Sequence, residues 1–429
     1  MKAKAGALPK SLLGVVVGDL MGQWLTVFFL ALAAMGCVGE EPKTYRFRLP
    51  WYDRQADNYT WQEIELDNIQ QFLPLTGSAA TILLNPSHTK GSLSGDRPLV
   101  RTIADEQGVH AAQDLQSLQA LVVYAHLEKL RQLDEVAGSL ELLSWPRTIA
   151  LNTRVSDLLG KQLAQNAFYV DGYDAVFVTP YFLNDLPISV NGGVLAHEHF
   201  HAILAQFIRL PDIFGLGEVE TAKCLNHSVG GMMVDSLDAR ETKAAGQLRS
   251  GKKIEAESPA HIKLNNWLVM RAWHEGLADF WGWLYEGDER YMLKSLPYEG
   301  LVRMVDTTVE PLPSAEFFRS AALVASDKSL LQSAYAMGST LARFLRASLW
   351  GVDRDLTPEG RVLLARTIIR AAKDLPRRIK GYDGEVFLQA HLLSEVVFEN
   401  LERPPTAEQC AFFRRLTANE SDLKWQGCR

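Results

Sequence analysis

The stretch Gly193-Val-Leu-Ala-His-Glu-His-Phe-His-Ala-Ile-Leu204 decides how this chain is read. It contains His-Glu-x-x-His, with His197 and His201 four residues apart. On an α-helix four residues turn through roughly 400°, so both imidazoles leave one face about one turn apart and can share a single metal ion. Glu198 lies one position along, beside the metal, where it could accept a proton from an activated water. His199 points roughly 200° away from His197 and is not expected to be a ligand. A solvated helix carrying a chance His/Glu pair is the plain alternative. The flanks oppose it, because Val194, Leu195, Ala196, Ile203, Leu204 and Phe207 make the segment apolar. Burying His and Glu there needs compensation, which a metal supplies.

A catalytic zinc site has three protein ligands and an open fourth position. The candidate third ligand lies in Trp273-His-Glu-Gly-Leu-Ala-Asp-Phe-Trp-Gly-Trp283, where Glu275 and Asp279 are again four apart. Glu275 would complete a His2Glu set for one Zn²⁺ per chain. Asp279 would accept the outer N–H of a ligand histidine, fixing its tautomer. The small residues Gly276 and Ala278 are expected to let this helix approach the first. Alone, a Glu-x-x-x-Asp pair would read as a solvent-facing acidic stripe.

Together the two motifs resemble the gluzincin zinc metallopeptidases, the thermolysin-like branch of the zincins. His274 stands where that group commonly has Asn, and the gap from His201 to Glu275 is much longer than in thermolysin, implying an insertion. The resemblance covers residues 140–350 and implies the superfamily, not a particular family. It implies a zincin-like catalytic domain, and peptide hydrolysis in which Glu198 is the general base. By the same resemblance Tyr335, in a Tyr-x-x-Gly near the start of the helix of residues 332–350, donates to the oxyanion. The alternative for Tyr335 is an ordinary helix tyrosine with its hydroxyl at the surface. His227 is a weaker candidate donor, since it precedes the third ligand. No Gly-x-Met-Glu-Asn-type segment precedes the motif, which favours an endopeptidase over an aminopeptidase.

The N-terminus carries Lys2, Lys4 and Lys10, then an apolar run from Trp24 to Met35 and Gly36-Cys37. That order describes an export signal over residues 1–36. Ala34-Met-Gly-Cys37 resembles a bacterial lipobox, which implies a lipid on Cys37 and residence in the cell envelope as an outer-membrane lipoprotein. Ordinary secretion or a periplasmic location is the alternative. Cys224, Cys410 and Cys428 are left for pairing in an oxidising compartment, with Cys410–Cys428 one of the possibilities. A net charge of −7 with no basic run gives no reason to expect nucleic-acid binding.

The expected class is α+β, with a small mixed sheet and active-site helices followed by a mainly helical C-terminal part. Residues 37–110 read as strand-rich, 111–290 as the catalytic region and 291–429 as helical. Residues 85–96 are loop-like in composition, and 210–265 look like the insertion. Strands are expected at residues 147–152, 167–170 and 175–179, the last two joined by a tight turn at Asp171-Gly-Tyr. Val176-Phe-Val-Thr-Pro is the candidate edge strand for pairing with an extended peptide; a plain internal strand is the alternative. The partners implied are a peptide or protein substrate and a membrane reached through the lipid. Two other functions compete: a catalytically inactive, zinc-containing binding lipoprotein, and a zinc hydrolase of a non-peptide substrate.

Overall fold

The order of the elements follows the apolar patterning of the chain. The computed structural model describes residues 43–89, 92–156, 162–163, 167–183, 186–208, 256–306, 312–324, 327–351, 354–380 and 386–416. The expected export segment, Cys37, His227 and most of the expected insertion lie outside these residues.

The described chain is mixed α/β, in keeping with the α+β expectation. Strands β1 (Lys43–Asp53), β2 (Asn58–Phe72), β3 (Leu75–Gly77), β4 (Ala80–Thr89), β5 (Ser92–Asp96), β6 (Thr102–Ala104) and β7 (Val109–Ala112) come first. Helix α1 (Leu115–Ala137) follows, opened by the Asp114 side chain, which accepts from Ser117 N, and closed by Gly138 at φ 78°. Next are β8 (Arg147–Leu151), the paired two-residue strands β9 (Val155–Ser156) and β10 (Gln162–Leu163), then β11 (Ala167–Val170) and β12 (Ala175–Val178). A further two-residue pair, β13 (Phe182–Leu183) with β14 (Leu186–Pro187), leads to α2 (Gly192–Ala205), the His-Glu-x-x-His helix.

Two five-stranded sheets form, ordered β3-β2-β1-β7-β6 and β11-β12-β8-β4-β5. In the second, β4, β8 and β12 run parallel, while β11 and β5 are antiparallel edges. Its side chains alternate as a strand period of two requires. Ile149, Tyr169 and Val176 join the main core with the helices. Ala150, Phe168 and Phe177 form a separate cluster, with the two phenylalanine rings stacked 5.4 Å apart.

Two sequence expectations are corrected here. The Val176-Phe-Val-Thr-Pro strand is internal, paired to β8 on one side and β11 on the other. Pro180 lies beyond the last paired residue, Val178, so it removes no ladder bond and marks no edge. Residues 85–96 are not a loop but largely the β4–β5 hairpin, with Asn85 at φ 44° and a register shift between Leu84 and Ser87. The polar composition there reflects an exposed sheet edge, not missing pairing.

After the undescribed residues come α3 (Pro259–Glu286), α4 (Pro297–Val302), α5 (Ala315–Val324), α6 (Asp327–Leu349), α7 (Pro358–Ile379), α8 (Leu392–Glu399) and α9 (Ala407–Leu416). Helix α3 runs 28 residues and begins inside the range read as insertion, opened by Ser258 with Pro259 in its first turn. It ends at Gly287, φ 80°, a left-handed stop. Cys410, on α9, is disulfide-bonded; every other cysteine, and so its partner, lies outside the described residues. Among the described residues no helix is long and apolar enough to cross a membrane.

Candidate metal centre

The site is assembled where α2, α3 and α6 meet. Asn191 opens α2 by accepting from Val194 N at 3.0 Å, and its amide donates to Tyr291 O at 2.7 Å, fixing the helix start to the segment just after Glu286. Gly193 and Gly282 let α2 and α3 touch, since a Cβ on Gly282 would lie 2.8 Å from Gly193 O. Gly276, expected to serve that contact, instead faces α6, where its Cβ would meet Gly338 O at 2.6 Å. Gly338 in turn leaves no room for a Cβ, which would stand 2.7 Å from Glu275 Cβ. The glycine of Tyr-x-x-Gly thus brings Tyr335 beside Glu275.

His197, Glu198, His201 and Glu275 are all essentially buried. His197 Nε2 and His201 Nε2 lie 3.0 Å apart, and Glu275 Oε2 lies 3.7 Å from the first and 4.0 Å from the second. A triangle with these sides, 3.0, 3.7 and 4.0 Å, has a circumscribed radius of about 2.1 Å, so one point sits at the zinc–nitrogen and zinc–oxygen distance from all three atoms. His197, Glu198 and His201 form a buried group that could hold a metal ion, and Glu275 Oε2 lies within 4.0 Å of both histidine Nε2 atoms.

The side chains around this group are placed as follows. Asp279 Oδ1 is 3.1 Å from His197 Nδ1, on the side of the ring away from the ligand atom. Asp279 also accepts from Ser339 Oγ at 3.2 Å and Tyr291 OH at 3.4 Å. His199 points away, its Nε2 2.9 Å from Asp134 Oδ2 on α1, as its helical phase requires. His274 is also outside the ligand set, with Nε2 3.3 Å from Ile208 O. Burial, with Arg271 nearby, lowers its pKa to about 4, so it stays neutral.

Glu198 Oε2 accepts the backbone N–H of Tyr169 at 2.8 Å, which ties the residue beside the ligands to the edge strand β11. Its other oxygen, Oε1, has no hydrogen-bond partner among the described residues and lies 3.9 Å from His197 Nε2. Burial, then repulsion from Glu275, pushes the carboxyl well above the usual carboxylate range.

Three residues of the site escaped the sequence reading. Arg303 is 3% exposed and donates from Nη2 to Glu275 Oε2 at 2.8 Å and Asp279 Oδ1 at 2.7 Å, with the same nitrogen 3.1 Å from His197 Nε2. Arg271, fully buried, sits one turn before Glu275, with Nη2 3.2 Å from Glu275 Oε1. Tyr169 was seen only as part of a strand. A lone cation in the apolar run Leu268-Val-Met-Arg-Ala-Trp273 was a legible signal for Arg271; nothing comparable pointed to Arg303. Tyr335 lies between the two arginines, whose Cζ atoms are 5.0 Å (Arg303) and 5.9 Å (Arg271) from its ring centre. Burial, with the Glu275 charge nearby, pushes its hydroxyl up to about 12, so it is a donor at neutral pH.

No protein-family model matches the chain, and neither a curated protein nor a solved structure is significantly similar to it.

Proposed function

We propose that this protein is a zinc-dependent peptidase of the gluzincin type with a zincin-like fold, exported and held at the cell envelope by a lipid on Cys37. One observation carries the proposal: a single point lies about 2.1 Å from His197 Nε2, His201 Nε2 and Glu275 Oε2. A zinc ion held there would supply Lewis acidity, lowering the pKa of a coordinated water to about 7 and polarising a carbonyl.

The chain's own residues do the rest. Asp279 Oδ1, 3.1 Å from His197 Nδ1, is placed to favour the tautomer that presents an unprotonated Nε2. Glu198 is anchored through Oε2 by Tyr169 N–H, which leaves Oε1 to take the water's proton and pass it to the leaving amine. Tyr335 donates to the oxyanion that develops on the carbonyl. No serine or cysteine nucleophile is required. A disulfide at Cys410 agrees with a site outside the cytoplasm.

Arg303 favours a second reading, a binding protein without turnover. Its Nη2 already engages both His197 Nε2 and Glu275 Oε2, placing a fixed cation on two of the ligand atoms. Glu198→Gln separates the two readings. Under the peptidase proposal the variant keeps about one zinc per chain and loses peptide-library cleavage, because only the base is removed. Wild-type protein that binds zinc and cleaves nothing selects the binding protein instead.

A further inference from the structure

Glu275 is gripped on both oxygens. Arg303 donates to Oε2 at 2.8 Å, and Arg271 Nη2 lies 3.2 Å from Oε1. Arg271 also donates from Nη2 to Tyr335 OH at 3.4 Å. A guanidinium has no acceptor, so in that bond the tyrosine oxygen must accept. The tyrosine's own proton is therefore turned to a different acceptor. Arg271 shows no exposed surface, and a buried cation costs several kcal/mol of desolvation that an apolar residue of similar volume would avoid. Helix α3 is apolar on either side of it, so packing alone gives no reason for a charge at this position.

We propose that Arg271 is a positioning residue that keeps Glu275 monodentate toward the metal through Oε2 and aims the Tyr335 hydroxyl proton at the substrate oxyanion. The inference rests on the metallopeptidase reading. Its two halves meet in one side chain: holding Oε1 outward stops the carboxylate from closing on the metal with both oxygens, and holding the phenol oxygen from behind sets the direction of its O–H. Arg303 holds the other oxygen, and the hydrogen bond seen to the Tyr335 hydroxyl comes from Arg271.

Cobalt(II) is the probe. Four-coordinate cobalt absorbs visible light several-fold more strongly than five- or six-coordinate cobalt. The full chain with Co²⁺ should give an intense band that weakens in Arg271→Met as Glu275 becomes bidentate. Cleavage of a peptide library should fall about 10- to 100-fold, mainly in kcat. Arg271→Lys guards against a variant that fails to fold: a single ammonium serves Glu275 but not both groups, so the intense band returns. Tyr335→Phe should then cost activity in the wild type and nothing further in Arg271→Lys. Identical cobalt spectra for wild type and Arg271→Met, or a full additive loss from Tyr335→Phe in Arg271→Lys, would overturn the inference. An intense wild-type cobalt band without any cleavage would instead sink the peptidase reading, leaving the Glu275 half of the inference to the spectrum.

Discussion

Replacing Asp279 by Asn removes one charge and changes little shape, and its cost can be worked from the contacts. The carboxylate faces His197 Nδ1 at 3.1 Å with Oδ1 and receives Arg303 Nη2 at 2.7 Å on the same oxygen. Oδ2 receives Ser339 Oγ at 3.2 Å and Arg303 Nε at 3.3 Å. An amide has one acceptor oxygen, so it cannot serve both faces. Losing the orienting partner of a ligand histidine costs about 10- to 100-fold in metal affinity, or about 1.4 to 2.7 kcal/mol. Among the described residues Arg303, 3% exposed, would keep the Glu275 carboxylate at 2.8 Å as its one anionic partner. That adds about 2 to 4 kcal/mol to the instability of the metal-free protein, somewhat below the loss of a sole buried partner. Chelator competition measures the first quantity, and thermal melts with and without EDTA measure the second. A folded Asn variant with wild-type zinc affinity would refute the assigned role of Asp279.

Further outcomes are expected elsewhere. Gly338→Ala puts a Cβ 2.7 Å from Glu275 Cβ and 2.9 Å from Ala272 O, so α3 and α6 must part; a loss of about 1 to 3 kcal/mol in denaturant melts is expected, together with weaker zinc retention. Unchanged stability would mean the helices have slack. Glu286, half-buried and close to Asp288, has its pKa raised to about 8 by desolvation and then by the Asp288 charge. Between the ordinary carboxylate range and that value the folded chain binds more protons than the unfolded one, so this group's contribution falls as pH rises. Glu286→Gln should therefore melt higher than wild type above pH 8 and equal it near pH 4, and a parallel pair of stability–pH curves would contradict that.

What the sequence revealed and what it hid divide along the range of the interactions. Spacings of four on α2 and α3 are local, and the helix turns them into faces: His197 with His201, and Glu275 with Asp279. The same periodicity turns His199 away from His197, toward Asp134. Strand neighbours are not local. Val176-Phe-Val is apolar whether it lies inside a sheet or at its edge, and only pairing with β8 and β11 decides. Polar residues 85–96 read as loop because edge strands and loops share a composition. Gly276 looked like a contact for α2, yet its partner, Gly338, lies 62 positions along the chain, beyond any pattern search. Arg303 was hidden for the same reason: its meaning comes entirely from Glu275, Asp279 and His197 gathered around it.

A crystal of the zinc-soaked full chain, with data collected on both sides of the zinc absorption edge, tests the metal centre most directly. One anomalous peak is expected about 2.1 Å from His197 Nε2, His201 Nε2 and a Glu275 oxygen, with Asp279 behind the first histidine. Saturating zinc that leaves no peak there, with Arg303 still bridging His197 and Glu275, would contradict it.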